Sequence, residues 1–82
     1  MTPTAQDLEC FQCLSPTLKK TAALLAHGLS RAEIAEQLCV SMDAVASSIT
    51  RLHAKVGFDT TLKLVVYIVR HPQIEKILRE AL

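Results

Sequence analysis

Apolar residues recur along this chain at the three- and four-residue spacing that places them on one face of a helix. The pattern divides the chain into an N-terminal helix that ends near Cys13 and a series of later helices. We expect the later helices to span residues 17–27, 31–38, 42–56, 60–70 and 72–82. Leu, Ala, Val and Ile dominate the apolar positions, which is typical of small helices that pack through aliphatic faces.

Residues that start and stop helices mark the same boundaries. Gly28 and Gly57 each follow a predicted helix, and glycine is the preferred residue just beyond a helix end. Ser30 and Glu33 have the spacing of a capping box, in which each side chain bonds to the backbone of the other residue. The other predicted start signals are Thr4 and Asp7, Ser15 with Pro16, Ser41, Asp59 and Pro72.

One segment is ambiguous by composition. Residues 64–69 read LVVYIV and are rich in β-branched residues, which favour strands. Because no other segment resembles a partner strand, we predict a helix here as well. The chain is therefore expected to be all-α.

The two central helices have the order of a helix-turn-helix unit, whose second helix enters the major groove of DNA while the first crosses the backbone. A tight turn at Cys39 and Val40 separates them, and Ala35 is small enough for the helices to approach closely. The apolar residues expected between them are Ile34, Leu38, Val40, Val45 and Ile49. Periodicity alone leaves a plain helical bundle as the alternative.

The length and net charge of the chain limit the number of domains and the classes of partner that we expect. A chain of 82 residues forms one domain, and its formal net charge of +1 gives no strong field that would indicate nucleic acid, a membrane or an acidic partner. The N-terminus lacks the basic and apolar regions of a signal peptide. No apolar run reaches the roughly 18 residues needed to span a bilayer. We expect a cytoplasmic protein that does not contact membranes.

A dense set of signature residues runs from residue 14 to residue 70. It comprises Leu14-Ser15-Pro16, Leu24-Leu25-Ala26, Gly28-Leu29-Ser30, Glu33-Ile34-Ala35, Leu38, Val40-Ser41, Val45, Lys55 and Gly57. In these residues the segment resembles the C-terminal DNA-binding domain of the LuxR/FixJ/GerE family of bacterial transcription regulators. Region 4 of sigma factors shares the GLSxxEIAxxL core, but Gly57 and the aliphatic helix after it favour the first family.

That resemblance implies a four-helix helix-turn-helix domain, residues 14–70, which here has additional N- and C-terminal helices. It also implies binding of double-stranded promoter DNA as a homodimer, with the last helix of the family domain at the dimer interface. We expect no separate sensing domain of the kind that the family carries. We therefore expect a stand-alone transcription regulator.

The predicted recognition helix, residues 42–56, departs from the family where DNA is contacted. Members usually have Thr, Lys and His where this chain has Ala44, Ala46 and Ser48, and a glycine where it has Cys39. A left-handed backbone conformation at Cys39 would cost about 1 kcal/mol or more.

Opposite the apolar stripe of this helix lie the side chains that we expect to contact DNA. Ser47 and Thr50 carry hydroxyls for bases or phosphates, and Arg51 suits bidentate contact with guanine. Asp43 would be repelled by the phosphates unless it accepts a hydrogen bond from a cytosine amino group. The predicted DNA-binding residues are Arg31, Ser47, Thr50, Arg51 and Lys55, and Lys19, Lys20 and Lys63 are further phosphate candidates.

The helix over residues 60–70 has two apolar stripes, so one can face the core while the other needs a cover. One stripe consists of Leu62, Val65, Val66 and Val69, and the other consists of Leu64, Tyr67 and Ile68. We assign the second stripe to the homodimer interface. The alternative that stays open is that the last helix folds back over it within the same chain.

Other chemistry has weak support. Cys10, Cys13 and Cys39 form an odd set, which favours free thiols, and we expect them to be mostly buried. The chain has no second cysteine or histidine pair at zinc-ligand spacing, so we expect neither a metal nor another cofactor. No nucleophile elbow, glycine-rich phosphate loop or paired carboxylate indicates an enzyme. The competing hypothesis is a degenerate helix-turn-helix that acts by protein contact, for example by pairing with a related regulator to block it.

Overall fold

The computed structural model describes residues 5–82, with side chains from residue 9 onward, and these residues form six α-helices and no strand. In chain order the helices are α1 (Ala5–Gln12), α2 (Pro16–Ala26), α3 (Arg31–Leu38), α4 (Met42–Val56), α5 (Thr61–Arg70) and α6 (Pro72–Arg79). The prediction of an all-α chain is confirmed, including a helix across the ambiguous LVVYIV segment. Thr4, a predicted cap of the first helix, lies outside the described residues, and so does the side chain of Asp7.

Local capping groups explain the helix starts. Ser15 Oγ accepts a hydrogen bond from Leu18 N at 3.3 Å, and Pro16 occupies the first turn of α2. The start of α5 differs from the prediction by one residue. Its cap is Thr60, whose hydroxyl accepts from Lys63 N at 3.2 Å, because Asp59 instead directs its carboxylate to the Lys63 ammonium.

The core lies where α2 packs against α4, α5 and α6, while α1 contacts α4 and α6. The largest fully buried hydrophobic side chains are Phe11, Ile34, Val45, Leu52, Leu64, Ile68, Ile74 and Leu78. The Cα radius of gyration of 11.6 Å agrees with the value of about 12 Å expected for one compact domain of this length. No helix in the described part of the chain has both the length and the hydrophobicity to cross a bilayer.

Helix α6 covers apolar side chains of α1, α2 and α5 in the same chain. Ile74 and Leu78 have no exposed surface, and α6 packs on α1, α2 and α5 of the same chain. Its outer side is polar and carries an ion pair between Arg79 and Glu75, with the nitrogen and oxygen 3.6 Å apart. The last helix therefore folds back over its own chain, which was the alternative that the sequence left open.

Candidate nucleic-acid interface

Hydrogen bonds between residues close in sequence fix both ends of helix α3. Ser30 N donates to Glu33 Oε1 at 2.9 Å and Glu33 N donates to Ser30 Oγ at 3.2 Å, so the predicted capping box is confirmed. The bond from the Ser30 backbone N–H to the Glu33 carboxylate, followed by the influence of the Ser30 hydroxyl on that carboxylate, lowers the pKa of Glu33. At the other end, Val40 N donates to Ala35 O at 3.0 Å and Cys39 takes a left-handed conformation, with φ 56° and ψ 44°.

A three-residue connection then leads into α4. Ser41 caps α4, since its hydroxyl accepts from Ala44 N at 3.1 Å, and Gly57 ends the helix with φ 80°. The observed bounds of α3 and α4 agree with the predicted 31–38 and 42–56. Val40, expected between the two helices, is instead 43% exposed, because the left-handed residue before it turns the chain away from the core.

The inner side of α4 is fixed by burial of Val45, Ile49 and Leu52. That burial turns the opposite side of the helix to solvent. Four of the predicted contacts lie there, namely Ser47, Thr50, Arg51 and Lys55, and all four are exposed. The fifth, Arg31, is exposed on a different helix, in the first turn of α3. We call the exposed residues of these two helices the α3–α4 face.

The cations on this face have no internal partner. Among the described side chains, Arg31, Arg51 and Lys55 form no ion pair, so their charges are available to a ligand. Lys63, another phosphate candidate, lies 3.2 Å from an Asp59 oxygen. The Lys63 hydrogen bond is the main cause of a lowered pKa of Asp59. Lys63 is thus partly neutralised by its neighbour, although a pair this exposed is worth little in water.

The α3–α4 face is electrically balanced. Within α3 and α4, all of whose residues are described, the cations are Arg31, Arg51 and Lys55 and the anions are Glu33, Glu36 and Asp43. The acids lie on α3 and in the first turn of α4, whereas Arg51 and Lys55 lie in the second half of α4. A polyanion would therefore be attracted to the second half of α4, whereas on the α3 side the attraction of Arg31 is opposed by the nearby acids.

Thr50 presents a restricted hydrogen-bonding group. Its hydroxyl donates to Ala46 O within the same helix at 3.1 Å. Because a hydroxyl has one proton and two lone pairs, Thr50 faces outward as an acceptor. Ser47 makes no such bond in the described structure and remains free to donate or accept.

The apolar stripe of α5 that is exposed to solvent is not the stripe that we predicted as the dimer interface. Leu64 and Ile68 have no exposed surface, because α2 and α6 of the same chain pack on α5. These two residues are therefore not available to a second copy in this fold. The exposed stripe comprises Leu62, Val66 and Val69, with 73%, 38% and 61% of their surfaces exposed.

Tyr67, the third residue assigned to the dimer, lies in an aromatic cluster. Its ring centroid is 5.9 Å from that of Phe11 and 5.1 Å from that of Phe58, so all the aromatic residues of the chain meet here. The His71 ring also contacts Tyr67, with a centroid distance of 4.2 Å and a tilt of 32°, and His71 Nδ1 lies 2.7 Å from Tyr67 O. Aromatic contacts of this kind stabilise packing between helices. The cluster joins α1 to the α5–α6 corner.

The cysteines are placed differently from the prediction. Cys10, Cys13 and Cys39 are free as expected, but all three are exposed rather than buried. For Cys10 and Cys13 the reason is that Phe11 in α1 and Leu14 just after it are the buried residues, which turns their cysteine neighbours outward. Across the described residues, no three His, Cys, Asp or Glu side chains gather as they would around a metal ion.

Two surfaces thus stand out in the described structure: the α3–α4 face, with its unpaired cations, and the exposed stripe of α5. No protein-family model, no curated protein and no solved structure matches this chain.

Proposed function

We propose that this protein is a helix-turn-helix transcription regulator of the LuxR/FixJ/GerE type that binds double-stranded DNA in the bacterial cytoplasm. In this proposal α4 enters the major groove and α3 crosses the phosphate backbone. The observation that carries it is the exposure of Ser47, Thr50, Arg51 and Lys55 on one side of α4, with both cations unpaired among the described side chains. Arg31 supplies a phosphate contact from the start of α3, where free backbone N–H groups also favour anions.

In this proposal the homodimer forms through the exposed stripe of α5 and not through the predicted interface residues Leu64, Tyr67 and Ile68. Leu62, Val66 and Val69 are spaced by four and then three residues, which is the spacing at which two helices pack side by side. A two-fold dimer lets the same stripe serve both subunits. It also sets two copies of α4 against two half-sites on one face of the duplex.

Charge limits how strongly salt acts on this complex. With Arg51 assigned to a base, Arg31 and Lys55 of each subunit give about four phosphate contacts in a dimer, so log K should fall with log salt with a slope of about −4. The acids on the same face reduce the slope further. Affinity must therefore depend on contacts with bases as well as on the backbone.

A pair of matched variants tests the proposal. Ala54→Asp adds one negative charge at an exposed position on the outer side of α4, and Leu62→Asp adds the same charge to the exposed stripe of α5. Fluorescence anisotropy with a random duplex pool, at low and at physiological salt, measures DNA binding, and sedimentation measures the oligomeric state. We expect Ala54→Asp to lose DNA binding and remain dimeric, and Leu62→Asp to become monomeric and bind a single half-site weakly.

Absence of DNA binding by the wild-type protein, even at low salt, would refute the proposal. Binding that Ala54→Asp leaves unchanged would place the contact elsewhere on the surface.

The balanced charge of the α3–α4 face favours one other function. A domain with no excess of cations on this face, and with three large apolar side chains exposed on α5, suits a protein-interaction module that pairs with a related regulator and blocks it. The same variants separate the two. A wild-type protein that does not bind DNA, yet forms a complex with such a regulator that Leu62→Asp abolishes, would establish this second function.

A further inference from the structure

The exposed side of α4 carries a carboxylate acceptor in its first turn and a bidentate donor in its second half. Asp43, in the first turn, contributes two carboxylate oxygens and has no hydrogen bond or ion pair among the described side chains. Thr50 adds an acceptor, because its proton is used by Ala46 O. Arg51 is the one guanidinium of α4 and is exposed.

The positions of Asp43 and Arg51 define a distance along the groove. They lie on either side of Ser47, about 80° apart around the helix axis, since each residue turns the helix by about 100°. Along the axis they are about 12 Å apart, because each residue adds about 1.5 Å. Base pairs in DNA are spaced by about 3.4 Å along the duplex axis, and a recognition helix is inclined to that axis, so the two side chains reach base edges at most about four base pairs apart.

Base edges in the major groove differ in the groups that they offer. Guanine offers two acceptors, which a guanidinium binds in bidentate fashion, whereas cytosine offers an amino group that a carboxylate accepts. The N-terminal residues of a recognition helix are those that contact base edges, and Asp43 occupies such a position. A carboxylate at this position also disfavours thymine and guanine, because their major-groove edges offer hydrogen-bond acceptors and no donor.

We infer that this protein reads a half-site in which a cytosine, contacted by Asp43, lies within about four base pairs of a guanine, contacted by Arg51. This inference rests on the proposed DNA-binding function. Asp43 then acts as a specificity residue, and its repulsion of the phosphates is offset only on sequences that present the amino group.

Selection from a random duplex pool, followed by anisotropy titration of the selected sequence and its single-base variants, tests the inference. We expect replacement of the cytosine to lower wild-type affinity by roughly 5- to 150-fold. Asp43→Asn should lose that penalty and prefer adenine, since an amide binds adenine in bidentate fashion. Arg51→Gln should change the preference from guanine to adenine at the second position.

Glu36→Gln is the matched control, because it also removes one negative charge from an exposed position but lies on α3. It should raise affinity for all duplexes and leave the base preference of the wild type unchanged. Equal effects of Asp43→Asn and Glu36→Gln, with no change of preference, would overturn the inference while DNA binding itself stood. If none of these proteins bound DNA, the inference and the proposed function would both fail.

Discussion

Cys39 is the residue whose side chain least suits its backbone conformation. Among the described residues it is the only non-glycine residue with a positive φ, at 56°. Gly28 occupies the equivalent position after α2, with φ 86° and the same hydrogen-bond pattern across the helix end. The chain thus uses glycine at one of two equivalent helix ends and cysteine at the other. We predict that Cys39→Gly stabilises the protein.

The size of the effect follows from two opposing terms. An L-residue in the left-handed region costs about 1–2 kcal/mol, which glycine avoids. Glycine returns about 0.5–1 kcal/mol of this, because the unfolded chain gains conformational freedom. The Cys39 thiol is exposed, so little packing is lost with it. The net gain in the free energy of unfolding therefore lies between about 0 and 1.5 kcal/mol, and its central value of about 0.75 kcal/mol corresponds to a rise in Tm of a few degrees for a domain of this size.

Thermal unfolding followed by circular dichroism, in a reducing buffer, measures this gain. Cys39→Ala is the control, because it removes the thiol and keeps the strained backbone. Gly28→Ala is the converse test. A Cβ at Gly28 meets nothing within 4 Å, so any destabilisation comes from its φ of +86° alone. The reasoning is refuted if Cys39→Gly is no more stable than Cys39→Ala.

Two further predictions concern packing and charge. Leu64→Ala should lower the free energy of unfolding by about 2–5 kcal/mol, because the Leu64 side chain is fully buried. Leu62→Ala should change the free energy of unfolding by less than about 0.5 kcal/mol, because Leu62 is exposed. Urea denaturation of dilute protein measures both, and equal losses would contradict the assignment of the two stripes. The capping hydrogen bonds hold the pKa of Glu33 below its ordinary value of 4.5, so their stabilising contribution is present above that pH and is lost as pH falls through the lowered pKa. The Tm advantage of the wild type over Glu33→Gln should therefore shrink between pH 6 and pH 3, and an advantage that is unchanged at low pH would count against this account.

The sequence by itself determined where helices α2 to α6 begin to within one residue, although α6 ends at Arg79 and the predicted end at residue 82 was wrong. The groups that start and stop a helix are within three or four residues of its end, and the bonds of Ser30, Ser41 and Gly57 form where their spacing predicted. The outer side of α4 was also predictable, because a 15-residue helix with one apolar stripe has only one side left for solvent. The predicted start of α5 was wrong by only one residue, because Asp59 and Thr60 are both good caps.

Only the tertiary structure decided which apolar residues are covered. Helix α5 has two apolar stripes, and its periodicity cannot rank them. Leu64 and Ile68 are buried because α6 folds back and packs beside α2 on that side, which leaves Leu62 and Val69 to solvent. The cysteines were misassigned for the same reason, because burial depends on which neighbours arrive from distant parts of the chain. Capping is a contact between near neighbours in sequence, whereas burial is a contact between elements, and only the folded chain brings those elements together.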